Sequence, residues 1–277
     1  MSPMVNPRLD ELVGLLACPA CRGLLFREAG CLRCAGCART FGFAGRVPDL
    51  VLRDDDRPPR LPRRLAARAL GNPRFYDVVQ ARLGGKTIAG SVANALRDLD
   101  GGATVLDIGA GTGMVADLMP GDAHYVWLDN DVLKLRGFLA RERTAVAVLG
   151  DAARLPIADD AVDWAAMVAV SHHVPDDALD VCLREAARVT CGRFLFVDAV
   201  RGRRLRSRLL WQLDRGRFPR TEAELVSALS TAFEVVRVER LREIHDYVVC
   251  LASPRQKSET APGPDGTTSA HQADRPH

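Results

Sequence analysis

Cysteines are the residues whose spacing points most directly to chemistry, and five of the eight lie between Cys18 and Cys37. Cys18 and Cys21 form one CxxC pair, and Cys34 and Cys37 form a second, with 12 residues between the pairs. Two such pairs are typical of a zinc ribbon, in which two backbone turns hold one tetrahedral ion. Disulfides are disfavoured because no secretory context accompanies the cluster. The cluster therefore predicts a zinc site.

Cys31 is a rival ligand, because it forms a further CxxC pair with Cys34. We prefer Cys34 and Cys37, because Gly36 gives the backbone freedom that a metal-binding turn needs. Cys31 is then a spare thiol. Four thiolates leave no position open for water or substrate, so the zinc is expected to be structural and to fold the module. The predicted ligands are Cys18, Cys21, Cys34 and Cys37.

A glycine-rich turn follows the apolar stretch Val105–Ile108 and contains Gly109, Gly111 and Gly113. A strand that runs into such a turn and opens a helix lets its backbone approach a nucleoside closely. The dinucleotide pattern GxGxxG is not met, because position 114 is methionine. A phosphate-binding P-loop is excluded, because no Gly-Lys-Ser/Thr follows. The turn predicts a loop for a different nucleoside cofactor.

Acidic residues recur at the ends of the next two predicted strands, at Asp129 and Asp151. An acid after the second strand can accept both ribose hydroxyls, and one after the third can accept from an adenine amino group. Taken singly, each acid could instead be a helix N-cap or part of a solvated turn. As a set, they favour a nucleoside site at the carboxyl edge of a doubly wound sheet.

The elements that must position these residues are apolar strands alternating with helical stretches from about Phe75 to Ser253. The predicted strands are Ala103–Ile108, His124–Asp129, Ala145–Leu149, Val162–Val170 and Arg193–Val200. A helix is predicted over Asp176–Val189 from its apolar face. Strands separated by helices imply a parallel sheet. Phe233–Val238 and Tyr247–Leu251 predict an antiparallel pair at the sheet edge.

Residues 73–253 resemble the class I S-adenosylmethionine-dependent methyltransferases. The motifs that carry the resemblance are Asp107-x-Gly109-x-Gly111-x-Gly113, Asp129, Gly150–Pro156, and Val162–Trp164 leading to Ser171–Val174. The resemblance implies an α/β, Rossmann-like methyltransferase sheet of seven strands, one of them antiparallel.

The resemblance also implies roles for individual residues. Asp107 and the glycines would lie beside the methionine part of the cofactor, Asp129 on the ribose, and Asp151 with Ala152 around the adenine. The cofactor-binding residues are expected to be Asp107, Gly109, Ala110, Gly111, Gly113, Asp129, Asn130, Asp151 and Ala152.

The N-terminal unit, residues 1–52, is similar to the small zinc ribbons that serve as methyltransferase activators, including its closing segment Gly45–Leu50. Its fusion to a methyltransferase is similar to the arrangement in rRNA guanine methyltransferases that carry an N-terminal zinc finger. The chain is thus expected to comprise the ribbon, a basic linker at 53–72, the methyltransferase domain at 73–253 and a disordered tail at 254–277.

Methyl transfer from a sulfonium has an activated leaving group, so positioning and a water-poor site can lower much of the barrier. A catalytic base is therefore not required. If one acts, His173 is the predicted residue, because it follows the fourth strand and histidine titrates near neutrality. Alternatively, His172 or His173 shapes the pocket floor by hydrogen bonding. The segment His245–Tyr247 either approaches the acceptor or only forms a turn between strands.

The methyl acceptor is predicted less directly. Net charge is +3, too balanced to demand a nucleic-acid partner, although the arginine-rich stretches Arg57–Arg74 and Arg201–Arg208 could bind RNA phosphates. Aromatic residues make up 5% of the chain, so few platforms exist for stacking bases. Leu209–Asp214 with Phe218 and Pro219 could form a lid over a small acceptor or belong to the core. We expect a small-molecule acceptor.

Two alternatives to a small-molecule methyltransferase stay open. The first is an rRNA or tRNA base methyltransferase that uses the ribbon and the arginine stretches for RNA. The second belongs to another class, a cofactor-binding regulatory or interaction module that docks a partner protein. The sequence leaves the oligomeric state undecided.

Composition excludes several other classes of protein. Hydrophobic residues are 47% and charged residues 26%, which excludes wholesale disorder and collagen-like or coiled-coil chains. No stretch approaches the ~18 consecutive apolar residues that span a bilayer. The apolar stretch before Cys18 is too short and follows Asp10 and Glu11, so it does not predict a signal peptide. We expect a cytoplasmic protein without membrane insertion.

Overall fold

The computed structural model describes residues 13–53, 86–141, 145–202, 218–243 and 246–255. The predicted basic linker beyond Arg53, the apolar segment Leu209–Asp214 and the predicted tail beyond Arg255 lie outside the described residues. So does the whole stretch Arg57–Arg74 and most of Arg201–Arg208.

The N-terminal module consists of short antiparallel strands. They are β1 (Leu25–Glu28), β2 (Cys31–Cys34), β3 (Thr40–Phe41), β4 (Phe43–Ala44) and β5 (Val47–Pro48). Strands β1, β2 and β3 form one sheet, and β4 pairs with β5 in a second. Ala29 and Gly30 make the β1–β2 turn, where Gly30 has a φ of +81°. This hairpin lies between the two cysteine pairs and brings them together.

A seven-stranded sheet forms the centre of the described chain. Its strands are β6 (Thr104–Ile108), β7 (His124–Asp129), β8 (Val146–Leu149), β9 (Val162–Val168), β10 (Thr190–Val200), β11 (Phe233–Arg242) and β12 (Asp246–Pro254). Their order across the sheet is β11-β12-β10-β9-β6-β7-β8. Strand β12 runs antiparallel to both neighbours, and the other pairings are parallel. The predicted α/β, Rossmann-like sheet of seven strands with one antiparallel strand is confirmed.

Four α-helices are described, namely α1 (Lys86–Ala95), α2 (Val132–Leu139), α3 (Asp176–Val189) and α4 (Glu222–Leu229). Helix α3 has the predicted bounds and buries Leu179, Cys182, Leu183 and Ala186 on its apolar face. Within the described ranges, no helix combines the length and apolar character that crossing a membrane requires.

The prediction of a helix directly after the glycine turn is wrong, because this segment forms only a short 3₁₀ helix, Val115–Leu118. Gly113 and Pro120 leave room for fewer than two helical turns between them. The residue before a proline also disfavours helical backbone, so the segment stops early.

The N-terminal module shares a hydrophobic core with the central sheet. Leu16, Leu32 and Leu50 are buried in the same cluster as Val148 and Ile157. The backbone is joined as well, because the Ala17 N–H donates to the Pro156 carbonyl oxygen at 3.1 Å, and Ala158 N–H to that of Leu15 at 2.8 Å. The module thus extends the β8 edge of the sheet.

Candidate metal and cofactor sites

Four cysteine thiols meet in the N-terminal module. The Sγ atoms of Cys18, Cys21, Cys34 and Cys37 all lie within 4.8 Å of one another. Two cross-pair distances are short, 3.7 Å from Cys18 to Cys37 and 3.4 Å from Cys21 to Cys34. Cys31 is not in this group but begins β2, where it pairs with Glu28 of β1. The structure thus brings together the four predicted ligands and leaves the rival outside.

The two CxxC turns repeat the same backbone geometry. The Arg22 N–H donates to the Cys18 carbonyl oxygen at 2.7 Å, and the Ala38 N–H donates to that of Cys34 at 3.0 Å. Arg22 and Ala38 both have left-handed backbone, with φ of +61° and +57°. Two equivalent turns therefore present their thiols toward a common point.

The surroundings of the thiols fit a tetrahedral metal. A Cβ added at Gly23 would lie 3.0 Å from the Cys34 Sγ, a tight contact, so the backbone closely approaches the cluster here. The thiols differ in pKa: burial acts to raise that of Cys34, but N–H groups of Cys37 and Gly36 and the Cys21 thiol lower it to about 6, whereas burial raises that of Cys18 to about 12. Thiolates are the form in which cysteine binds zinc. The donor set, four sulfurs, is that of a structural zinc site.

The glycine turn at the carboxyl end of β6 is built on positive φ angles of +72° at Gly109, +55° at Gly111 and +82° at Gly113. The N–H groups of Gly109 and Ala110 both donate to the Leu128 carbonyl oxygen, at 2.8 and 3.0 Å. A Cβ at Gly109 would lie 2.6 Å from Cγ2 of Val170. The turn is therefore packed between the end of β7 and the segment that follows β9.

Asp129 ends β7 directly beside this turn. Its Oδ2 accepts from the Gly111 N–H at 2.9 Å, and its Oδ1 accepts from the Asp131 N–H at 3.0 Å. Burial raises the pKa of Asp129 above its usual value. A carboxylate offers about four acceptor positions, so acceptor capacity remains for a ribose beside the N–H groups of Gly111, Asp131 and Asn130. The donor and acceptor chemistry of the site fits a nucleoside. Asn130 follows on the surface.

Asp107 lies beneath the turn rather than on its surface. Its side chain is 2% exposed, and its Oδ2 accepts from the Tyr125 hydroxyl at 2.5 Å. Contact between this carboxylate and the methionine part of a cofactor stays a prediction.

Asp151 and Ala152 begin the loop after β8. Asp151 is exposed, and its Oδ1 accepts from the Ala153 N–H at 2.9 Å. The Gly150 N–H donates to the Asp129 carbonyl oxygen at 3.1 Å, which brings this loop beside Asp129. Both acids thus lie at the carboxyl edge, as the spacing predicted.

A buried ion pair holds the loop after β8, and the sequence interpretation missed it. Glu185 Oε2 accepts from the Leu155 N–H at 2.9 Å and from Arg188 at 2.7 Å, and Arg188 donates to the carbonyl oxygens of Leu155 and Ile157. Arg22 of the first cysteine turn reaches Glu185 at 3.2 Å. An acid and an arginine three residues apart on the apolar face of α3 were the available signal.

The two histidines after β9 have different surroundings. They belong to a 3₁₀ helix, Ser171–His173, in which His172 is buried and His173 is exposed. His172 Nδ1 lies 2.5 Å from Oδ1 of Asp198, and the Ser171 hydroxyl lies 2.5 Å from Oδ2. Asp198 was missed from sequence, although an acid near the end of the apolar strand β10 was the signal. Of the segment His245–Tyr247, Asp246 pairs with Val200, Tyr247 is buried in β12, and His245 lies outside the described residues.

Comparison with known proteins supports the fold. Residues 106–195 match a family model described as a methyltransferase domain. None of the curated proteins matches this chain.

Three solved structures with the same fold share 15 to 19% sequence identity with the chain. A complex of the Haloferax volcanii Trm112 methyltransferase activator and a putative methyltransferase has a TM-score of 0.57 at 16% identity, covering 68% of this chain and 95% of that one. A putative methyltransferase from Bacillus halodurans has a TM-score of 0.50 at 15% identity, covering 59% and 97%. The [4+2]-cyclase SpnF has a TM-score of 0.50 at 19% identity, covering 61% and 80%. The described chain has the class I methyltransferase fold, and residues 106–195 resemble a methyltransferase domain.

Proposed function

We propose that the protein is an S-adenosylmethionine-dependent methyltransferase that acts on a small-molecule acceptor. The observation that carries this proposal is the convergence of the glycine turn, Asp129 and the Asp151 loop at one carboxyl edge, within the stretch that matches a methyltransferase domain. Ligands of open α/β sheets bind at this edge.

The chain's own residues would bind and orient the donor. Asp129 accepts hydrogen bonds from the ribose, with Asn130 beside it, and Asp151 with Ala152 borders the adenine. The turn Gly109–Gly113, including Ala110, approaches the methionine part, and Asp107 supports it from below. Bound S-adenosylmethionine supplies a methyl group on a positively charged sulfur, and this sulfur is the leaving group, as a neutral thioether. The residues of the site therefore contribute mainly by positioning and by excluding water.

Zinc is proposed as a structural ion held by Cys18, Cys21, Cys34 and Cys37. Four thiolates fill a tetrahedral site and leave none of its positions for substrate. Because the module is small and its strands are short, metal binding would supply much of its folding energy. The ion's contribution to the enzyme is to fix the shape of the module that covers the β8 edge.

The fold alone does not identify the reaction, because a [4+2]-cyclase has the same fold. The test is therefore methyl transfer itself. We would incubate the full chain with methyl-labelled S-adenosylmethionine and a total cell extract, then separate RNA, protein and small molecules. Label in the small-molecule fraction, absent with the Asp129→Ala variant, is expected.

Other distributions of label would contradict the proposal in identifiable ways. Label in nuclease-sensitive material would replace the small acceptor with RNA and give the ribbon and the arginine stretches a role in RNA binding. Cofactor binding without transfer to any fraction would favour a regulatory or interaction module.

A further inference from the structure

His172 and Asp198 form a buried pair at the same edge of the sheet as the glycine turn. Asp198 is fully buried in β10, and its Oδ1 lies 2.5 Å from His172 Nδ1. Strands β9 and β10 are parallel neighbours, with Val168 opposite Val197. Val170, two residues before His172, contacts Gly109 of the turn. The pair thus lies at the carboxyl edge of the sheet, beside the segment that packs against the glycine turn.

The Asp198 carboxylate is held in one orientation. Oδ2 accepts from the Ser171 hydroxyl and from the His172 N–H at 3.3 Å, while Oδ1 also accepts from the Ala199 N–H at 2.7 Å. Burial acts against ionisation, yet His172 and these donors hold the pKa of Asp198 below its usual range. The carboxylate is therefore ionised at neutral pH and fixes the His172 ring through Nδ1.

The turn that carries His172 is fixed by a second buried group. Arg220 donates to the carbonyl oxygens of Ser171 and Val174, both at 2.7 Å, and pairs with Asp176. The Phe218 N–H donates to the His172 carbonyl oxygen at 3.1 Å. Backbone and side chain of His172 are thus held from two sides, as a group with a defined orientation requires.

When a carboxylate accepts a hydrogen bond from the Nδ1–H of a histidine, the ring takes up a further proton at the lone pair of Nε2. The carboxylate also stabilises the imidazolium that forms, without becoming protonated itself. His173, the base predicted from sequence, is exposed, with its ring centroid 4.1 Å from that of His172. The contact with the Asp198 carboxylate favours His172 over His173 as the catalytic base.

We propose that His172 is the general base of the reaction and Asp198 its positioning residue, which makes the acceptor a hydroxyl compound; this rests on the proposed function. A hydroxyl oxygen is a weak nucleophile until its proton leaves, so it gains most from a fixed base. The acceptor oxygen forms the new bond to the methyl carbon, and its proton passes to His172 Nε2. The carbon–sulfur bond breaks, with its electron pair left on the neutral sulfur. His172 then releases the proton to water.

The first test needs no acceptor. ¹⁵N NMR of histidine-labelled protein reports which ring nitrogen carries a proton. Near pH 8, His172 should carry its proton on Nδ1 and not on Nε2, and the Asp198→Asn variant should lose this preference. A proton on Nε2 alone, or on both nitrogens up to about pH 9, would overturn the proposal, because such a ring cannot act as a base there.

The second test uses labelled S-adenosylmethionine and the small-molecule fraction of a cell extract. His172→Gln and Asp198→Asn should each lower transfer about 100-fold or more, with donor affinity by calorimetry within about twofold of the unaltered protein, since neither touches the donor site. His124→Gln, at the opposite end of β7, is the matched control and should transfer normally. After alkaline treatment, hydriodic acid should release the product's label as volatile methyl iodide, as from a methyl ether.

The results separate this proposal from the function on which it rests. Transfer at normal rates by His172→Gln, a loss confined to His173→Gln, or label on nitrogen or carbon would overturn the His172 assignment alone. No transfer by the unaltered protein would overturn the proposed function and the assignment together. A variant that fails to fold leaves the NMR measurement on the unaltered protein to decide.

Discussion

The Leu50 N–H of the N-terminal module donates to the carbonyl oxygen of Leu149, the last residue of β8, at 2.8 Å. Asp49 bridges to the same Leu149 in a parallel arrangement. Edge strands expose unpaired backbone groups, which proteins cover or block. The module covers this edge two residues before Asp151. The folding of the module and the shape of the loop that begins at Asp151 are therefore structurally connected.

Replacing Leu50 should destabilise the central sheet as well as the module. Leu50 is 0% exposed and lies in the core shared with Val148 and Ile157. A Leu→Ala change at such a position costs about 2 to 5 kcal/mol. Urea unfolding followed by tryptophan fluorescence is a suitable measurement, because Trp127 and Trp164 both lie in the sheet.

Leu24→Ala is the matched control within the same module. Leu24 is 75% exposed, so its loss should change the free energy of unfolding by no more than about 0.5 kcal/mol. If Leu50→Ala unfolds the module in a separate, earlier transition while the sheet keeps its stability, the shared core does not act as one unit.

The secondary structure that surrounds the site was predictable because its signals are local. Strand β7 and helix α3 have the bounds that an apolar stretch and helical spacing predict. The two cysteine pairs are equally local, since each turn is four residues long. The glycine turn was located correctly, but the helix expected after it was not, because Pro120 ends helical backbone too early.

Contacts between distant segments were not predictable. Asp198 contacts His172, which lies 26 residues away in the sequence, and Arg22 contacts Glu185, which lies 163 residues away. A carboxylate in an apolar strand signals a buried partner but not its identity. Residue spacing likewise does not predict that the N-terminal module packs on the β8 edge, because either face of a small ribbon can be the buried one.

Metal removal and cysteine substitution should distinguish the four proposed zinc ligands from Cys31. Cys21→Ser should lose zinc by elemental analysis, because three thiolates bind the ion less tightly than four. Cys31→Ser should retain about one zinc per chain.

Alkylation gives an independent measurement on the unaltered protein. With zinc bound, modification near pH 8 should spare the four ligands and also Cys182 and Cys250, because burial raises the pKa of both thiols to about 12. Chelation should expose the four ligands to reagent. Equal labelling before and after chelation would contradict the metal site.

Asp129→Ala should weaken binding of S-adenosylmethionine without unfolding the chain. Hydrogen bonds to a charged group contribute about 1.5 to 3 kcal/mol each, so losing those of the ribose should lower affinity at least about tenfold. Calorimetry measures the affinity and circular dichroism the fold. Glu234→Ala, an exposed acid on β11, serves as the control. Unchanged affinity would remove Asp129 from the ribose role.

The affinity should also depend on pH in a defined direction. Because burial raises the pKa of Asp129 above the usual 3.8, its ionised form is lost at a higher pH than for an exposed aspartate. The ionised form is the one that accepts two hydroxyl hydrogen bonds. Affinity should therefore fall on acidification while the pH is still above 3.8, and Asp129→Ala should show a flatter profile.

Gly109→Ala should destabilise the protein for two separable reasons. The new Cβ would lie 2.6 Å from Cγ2 of Val170, and alanine would have to adopt a φ of +72°. The backbone conformation costs about 1 to 2 kcal/mol, and overpacking adds about 1 to 3 kcal/mol. Val170→Ala removes the clash but not the backbone strain. In urea unfolding, the double variant should therefore regain the stability that overpacking costs and still show the loss that the strained backbone causes. Strict additivity of the two substitutions would show that Val170 does not restrict position 109.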